Sequence, residues 1–314
     1  MIIRTFVGTD IPQILAIWNR AMPKTPLNHR GFVKNFLLDQ NFNDRGFFIA
    51  EEQGEILGYI YTLVRVYPAD VGADMNEDLG YINAIGLKYE KDILGGLGIS
   101  LIRQAEDYIR SFGNREIHVS HYTPNYIYQG IETGLENYLA LFRQAGYTEA
   151  ARNQSIAIDL LTYRRPESVD RLKAQREQEG FRFTDMKDEY ILPLFRYAQP
   201  GWNHRFRRLL NETMDYEKFS LIVYKDRVIG VNVFGDPYSC EERFGPFSVD
   251  SEFRGLGLGQ ILLHECLTKM KERGLQRAWA QSTPIATAAT HVYAKTGFFS
   301  TGEYVIFKKE GASQ

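Results

Sequence analysis

The sequence predicts an α/β (α+β) protein of two tandem domains, each a mixed, mostly antiparallel sheet flanked by helices. Three observations carry that expectation. The chain has 314 residues, enough for two domains of about 100–200 residues, each with its own core. A weak internal repeat runs through it. Laying Gly257 on Gly96 also brings Gly259 onto Gly98 and Gly274 onto Gly113, an offset of 161 (257 minus 96). Each half also holds a hairpin signal: Gly54-Glu55-Ile56-Leu57-Gly58 between FFIAEE and GYIYTLV, and Asp226-Arg227-Val228-Ile229-Gly230 between FSLIVYK and GVNVFG.

Each half is expected to open with a strand and a helix, then an antiparallel hairpin and another strand. A glycine-rich turn, an amphipathic helix, a strand, a short helix and a final strand complete it. In the second half, Ile261, Leu262, Leu267 and Met270 keep near-helical spacing, with His264, Glu265, Lys269 and Lys271 between them. Gly274 stands where a C-cap glycine would end that helix. Further on, Lys295-Thr296-Gly297-Phe298 resembles Gln144-Ala145-Gly146-Tyr147. RRPES and the charged stretch DRLKAQREQE interrupt the strand pattern over Leu160–Gln178. This places the domains at 1–160 and 161–314, with DRLKAQREQE as an opening helix and FRFTDM as a strand.

Composition narrows the class. With 44% hydrophobic and 24% charged residues, the chain is neither disordered nor fibrous. A net charge of −2 gives no global field to recruit nucleic acid or an anionic membrane. Cys240 and Cys266 form no C-x-x-C pair, which fits a reducing cytoplasm. The start, MIIRTFVGTD, lacks the features of a signal peptide, and no apolar run of about 18 residues could span a bilayer. A cytoplasmic monomer or homodimer, without nucleic-acid or membrane partners, is expected. No His/Cys/Asp/Glu set has metal-ligand spacing, so no metal is expected.

The chemistry-bearing stretch is a strand over Phe244–Val249, then a glycine-dense turn, then a helix. The first N–H groups of a helix lack intrahelical partners, and its N-terminus is partly positive, so it receives anions. Glycines at 255, 257 and 259 let a phosphate approach the backbone, and Arg254 adds a cation. The dinucleotide fingerprint G-x-G-x-x-G fails, because its last position is Gln260 or Leu262. The P-loop fails because the chain has no Gly-Lys pair. The pattern that fits is Arg/Gln-x-x-Gly-x-Gly/Ala, filled by Arg254, Gly257 and Gly259.

In this context FSVDSEFRGLGLGQILL resembles the pyrophosphate-binding motif of the GNAT superfamily of N-acetyltransferases. Downstream, ATAATHVYAKTGF (Ala286–Phe298) resembles that superfamily's N-x-x-A-x-x-x-Y-x-K-x-G-F segment. Ala289, Tyr293, Lys295, Gly297 and Phe298 match, whereas Ala286 stands in place of the usual Asn, so one pantetheine or substrate contact is missing. The resemblance covers residues 181–310. It implies acetyl-CoA as acyl donor, lying between two splayed parallel strands, Phe244–Val249 and Arg277–Thr283. It places Arg254, Gly255, Leu256, Gly257, Leu258 and Gly259 around the pyrophosphate, and backbone groups near Ser248 and Val249 along the pantetheine arm. Ala289 and Tyr293 would border the cofactor, and Tyr293 would donate a proton to the departing thiolate. The acceptor implied is a small-molecule or protein amine. The base is not legible: Asp236, Glu241, Glu242 and Asp250 read as solvated charges, and His264 and His291 as surface or packing residues.

The first half resembles the superfamily less well. Its turn, Gly95-Gly96-Leu97-Gly98, has Ile93 at the arginine position, and Phe142 takes the tyrosine position. A longer loop runs over Pro124–Tyr138. This half therefore reads as a degenerate copy that does not catalyse. Gly95, Gly96 and Gly98 either form a second, degenerate CoA site or belong to a half that only shapes the acceptor cleft. Tyr122, Tyr126, Tyr128 and Tyr138 either line such a cleft or pack between the halves. Asn203–Arg208 reads as a solvated basic helix face. Two alternatives to an N-acetyltransferase stand: a non-catalytic acyl-CoA-binding regulatory module and, more distantly, a mycothiol-synthase-like acetyltransferase of the same tandem architecture.

Overall fold

A computed structural model describes residues 1–67, 78–120, 122, 127–198, 202–235, 241–285 and 287–311. In chain order the elements are β1 (Ile2–Thr5), α1 (Ile11–Ala21), α2 (His29–Phe32), β2 (Phe47–Glu52), β3 (Glu55–Val64), β4 (Leu79–Leu87), α3 (Glu90–Ile93), α4 (Gly96–Arg110), β5 (Glu116–Val119), β6 (Ile131–Glu132), α5 (Glu136–Gln144) and β7 (Thr148–Asp159). They continue as α6 (Glu167–Gln178), β8 (Arg182–Thr184), α7 (Asp188–Tyr197), α8 (Trp202–Thr213), β9 (Phe219–Tyr224), β10 (Arg227–Phe234), β11 (Phe244–Val249), α9 (Leu258–Glu272), β12 (Arg277–Pro284), α10 (Ala288–Thr296) and β13 (Phe299–Glu310). Strand and helix order thus repeats, mostly antiparallel, as the fold class requires.

The first compact unit comprises 1–153 together with 302–314. Strands β1 to β4 pair antiparallel, with Ile2 opposite Glu51, Phe47 opposite Tyr61 and Gly58 opposite Leu87. Strand β5 joins β4 in parallel, Leu79 opposite Glu116. The end of β13 lies antiparallel to β5, Lys308 opposite His118. Helix α4 turns Leu101, Ile102, Ala105 and Ile109 into the core, and α1 contributes Ile14, Ile17 and Trp18. Phe32, Phe36, Phe47 and Tyr61 form a packed aromatic series between them. Three of the four tyrosines weighed for a cleft are buried packing residues of this unit. Tyr122 is fully buried, donating to Asp39 Oδ1 at 2.8 Å and accepting from Asn41 Nδ2 at 2.9 Å. Tyr128 packs on Trp18, and Tyr138 is buried. Tyr126 lies outside the described residues.

The second unit comprises 154–301. Strands β8, β9, β10 and β11 form an antiparallel sheet. Side chains alternate across a strand, so Leu221, Val223, Val231 and Val233 meet Leu194, Phe206 and Leu209 of α7 and α8. Ile222 and Ile229 meet Leu258 and Leu262 of α9 on the other face. Strand β12 lies outside this sheet, beside the end of β7.

A single cut at residue 160 does not reproduce this division. The last strand of the chain, from 302 onward, belongs with the first unit, where Tyr304 and Val305 also pair with β6. The opening helix and strand expected for the second half are present as α6 and β8. Among the described residues, no helix is long and apolar enough to cross a membrane.

Candidate active site

The site grows from the edge of β11. Asp250 N–H donates to Ile229 O at 2.8 Å, and Val249 stands opposite Gly230. Antiparallel pairing engages every second residue. The backbone of Ser248 is therefore committed to β10, and the amide of Val249 points outward. On that outer side β11 meets β12 at its beginning, through an Arg243–Trp279 parallel bridge in which Trp279 N–H donates to Glu242 O at 3.1 Å. Past the bridge the two strands belong to different sheets. The Val249 amide thus faces a gap between parted parallel strands. Of the two residues expected along a pantetheine arm, only Val249 turns its amide there. The Ser248 hydroxyl instead lies 2.9 Å from Tyr197 Oη.

The glycine turn closes one end of that gap. Gly255 and Gly257 have φ of +83° and +73°, the left-handed region in which a Cβ is strained. Gly257 is the N-cap of α9, and the first helical bond runs from Ile261 N–H to Gly257 O. The amides of Leu258, Gly259 and Gln260 precede that bond and have no intrahelical partner. Leu258 is buried and anchors the turn, while Arg254 is exposed beside it. A Cβ built on Gly259 would lie 3.5 Å from Phe247 Cζ and 3.7 Å from Val249 Cγ2, so the helix start rests on β11. Helix α6 holds the turn from behind: Arg176 Nε donates to Leu256 O at 2.9 Å, and Leu172 fills the space beside Gly257.

Helix α10 supplies the other wall. Thr287 caps its start and Gly297 ends it in the left-handed conformation. Tyr293 packs among Phe244, Phe247 and Phe298, with ring centroids 5.4–5.8 Å apart. Burial pushes its hydroxyl well above the ordinary tyrosine range. Such a group keeps its proton and acts by donating a hydrogen bond. Ala289, four residues earlier on the same helix face, presents only a methyl.

The other titratable candidates are tied up elsewhere. Glu241 accepts from Lys218 Nζ at 2.7 Å, and Glu242 from Arg277 Nε at 2.8 Å. Asp250 accepts from Glu252 N–H, capping its own turn. His264 is buried, with Nδ1 2.7 Å from Tyr163 Oη, and burial pushes it down to about 4, with Arg165 adding to the effect. His291 is exposed. Cys266 is buried and its thiol is pushed up to about 12. On α8, Arg207 lies over the Phe195 ring at 4.0 Å. Asp236 and Cys240 lie outside the described residues. Among the described residues no group of His, Cys, Asp and Glu could hold a metal ion.

Sequence reasoning missed Phe247, Tyr197, Leu172 and Arg176. The alternation of β11 could have set Phe247 on the same face as Val249. The contacts of α6 with the turn carry no local signal.

Parted parallel strands, a left-handed glycine turn opening a helix and a tyrosine-bearing second helix together make up the candidate site of the second unit. Residues 183–298 match the family model described as Acetyltransferase (GNAT) family, and that stretch is a GNAT-family domain. A curated relative, mycothiol acetyltransferase of Amycolatopsis mediterranei (strain U-32), is 31% identical over 119 residues, which is 37% of this chain and 38% of that protein. Among solved structures, a glucosamine N-acetyltransferase region of a fungal multi-domain beta-N-acetylglucosaminidase superposes with a TM-score of 0.79 at 18% identity, covering 98% of this chain and 38% of that one. A GNAT protein from Sphaerobacter thermophilus gives 0.71 at 17%, covering 100% and 97%. A tandem GNAT protein from the clavulanic acid biosynthesis pathway gives 0.64 at 13%, covering 100% and 99%. At these identities the structural likeness shows the fold, which is the tandem GNAT fold.

Proposed function

We propose that the chain is an acetyl-CoA-dependent N-acetyltransferase that passes an acetyl group to a primary amine by direct attack on the thioester, with the second unit as the working copy. The observation that carries this reading is the gap between β11 and β12, with the outward Val249 amide on one side and the first-turn amides of α9, which have no intrahelical partner, at its end.

The residues present suit an acyl-CoA. The amides of Leu258, Gly259 and Gln260, with Arg254 beside them, would take the pyrophosphate. Val249 would take a carbonyl of the pantetheine arm, and the methyl of Ala289 leaves that arm room. The neutral amine attacks the thioester carbonyl, forming the C–N bond. A backbone N–H on β11 stabilises the oxyanion. The C–S bond then breaks and the electron pair leaves on sulfur. Tyr293 donates a hydrogen bond to that sulfur, and the proton lost by the amine goes to solvent or a base. A thiol titrates near 8.5 and an ordinary tyrosine near 10. With Tyr293 raised further, hydrogen bonding to the thiolate is favoured over full proton transfer.

The test is release of free thiol from acetyl-CoA over a panel of primary amines, with glucosamine included because one structural neighbour is described as acting on it. Amine-dependent thiol release supports the enzyme. Acetyl-CoA binding without transfer to any amine would favour the regulatory module, and no binding at all would sink both.

A further inference from the structure

The first unit carries the same order of elements, with β5 laddered to the beginning of β4, so the two can be compared residue by residue. Lys88 N–H donates to Leu57 O, as Asp250 N–H does to Ile229 O, and Gly58 faces Leu87 as Gly230 faces Val249. Leu87 is thus the counterpart of Val249, and its amide also points outward. The closing helices match as well. Tyr147 N–H bonds Phe142 O where Phe298 N–H bonds Tyr293 O, an offset of 151 (298 minus 147). By that offset Tyr138 replaces Ala289, and Leu141 replaces Val292.

In the first unit the outward amide is already taken: Leu87 N–H donates to Tyr138 Oη at 2.9 Å, and both groups are buried. The helix start is covered too. A Cβ built on Gly98 would lie 2.5 Å from Ile93 O and 2.9 Å from Leu141 Cδ1, whereas at Gly259 only atoms of β11 come within 4 Å among the described residues. The turn has also changed its backbone. Gly95, Gly96 and Gly98 have none of the left-handed φ values of Gly255 and Gly257. The short helix α3 stands where the second unit has a single 3-10 turn over Ser251–Phe253, and α4 begins at Gly96, the counterpart of the N-cap Gly257.

We infer that the first unit takes no acyl-CoA because α5 fills the place itself, Tyr138 standing where a pantetheine carbonyl would accept and Leu141 where a pyrophosphate would sit. The chain then binds one acyl-CoA, not two. The inference rests on the acyl-CoA reading of the second unit only through this comparison.

Amide hydrogen exchange of the full chain with and without saturating acetyl-CoA tests it. Protection is expected to rise at Val249 and Leu258–Gln260 and to stay unchanged at Leu87 and Gly96–Ile99. A rise at Leu87 and Gly96–Ile99 overturns the inference. If neither region responds, the reading of the second unit fails, and the Tyr138→Ala chain decides this one: a newly responsive Leu87 region supports the plug, and a silent one overturns it. Transplanting the plug is independent of how Tyr138→Ala folds. Ala289→Tyr is expected to weaken acetyl-CoA binding at least tenfold in equilibrium dialysis, and unchanged binding by a folded Ala289→Tyr chain overturns the inference.

Discussion

The two halves repeat one order of elements and differ where a ligand would lie. In the second unit the glycine turn is left-handed, the helix start is open and Tyr293 keeps its hydroxyl. In the first, the turn has no left-handed glycine and follows directly on α3, and Phe142, at the tyrosine position, stacks on Phe307 in the core. A fold of this kind survives loss of its site, because the sheet and the buried helix faces supply the stability and the site supplies little of it. The filled cleft even gains a buried hydrogen bond and added apolar burial.

The comparison can be broken most decisively at the tyrosine. Tyr293→Phe is expected to lower turnover about 10²-fold, roughly 2.7 kcal/mol in the barrier, with little change in acetyl-CoA affinity. Phe142→Tyr should add no activity. Wild-type turnover in Tyr293→Phe, read by steady-state thiol release, would remove the asymmetry in chemistry between the units.

A second contrast lies in acid stability. His264 sits at the repeat position of Arg103, which is exposed. In the folded chain His264 titrates near 4, below its unfolded value near 6.5. The unfolded state therefore takes up the proton first as pH falls. The stability in question is complete above about pH 6.5 and is lost between there and about pH 4. The loss should be seen as a falling urea midpoint for exchange within 154–301. His264→Gln should flatten that dependence, and an unaltered pH profile would show that the histidine does not titrate in this way.

Gly257→Ala comes next. Its Cβ would have to adopt a left-handed backbone and would meet Leu172 Cδ2 at 2.6 Å. Acetyl-CoA binding is expected to weaken roughly tenfold, about 1.4 kcal/mol. Gly96→Ala, within α4 and with open space around it, should leave binding unchanged and raise stability by about 0.5–1 kcal/mol. Equal effects of the two substitutions in a calorimetric titration would erase the distinction between the turns. The smallest expected effect is at Arg176. Arg176→Gln removes the bond to Leu256 O that steadies the turn, and should raise the KM for acetyl-CoA a few-fold at unchanged kcat. A change in kcat instead would place Arg176 in the chemistry.

Much of this was legible because it is local. The repeat, the hairpins at Gly54–Gly58 and Asp226–Gly230, the strand before the turn and the helix ended by Gly274 each follow from residues close in sequence. The same holds for the left-handed turn: Gly255 and Gly257 are the residues that adopt such a backbone readily. What stayed hidden depends on register and on distant partners. That Ser248 faces β10 while Val249 faces the gap follows from hydrogen bonds made by Asp250 and Ile229. That Arg176 supports Leu256 depends on a helix 80 residues away.

By itself, then, the sequence determined two copies of one mixed sheet-and-helix fold and the presence of a glycine turn opening a helix in the second. Periodicity and glycine conformation act over a few residues and can be read in order. Only the tertiary structure decided that the end of the last strand completes the first unit's sheet, since a strand's hydrogen-bonding edges are alike and its partner is set by nonlocal packing. It also decided that Tyr138 reaches the Leu87 amide, 51 residues away. Nothing in a tyrosine distinguishes a core ring from a plug until the backbone it meets is in place.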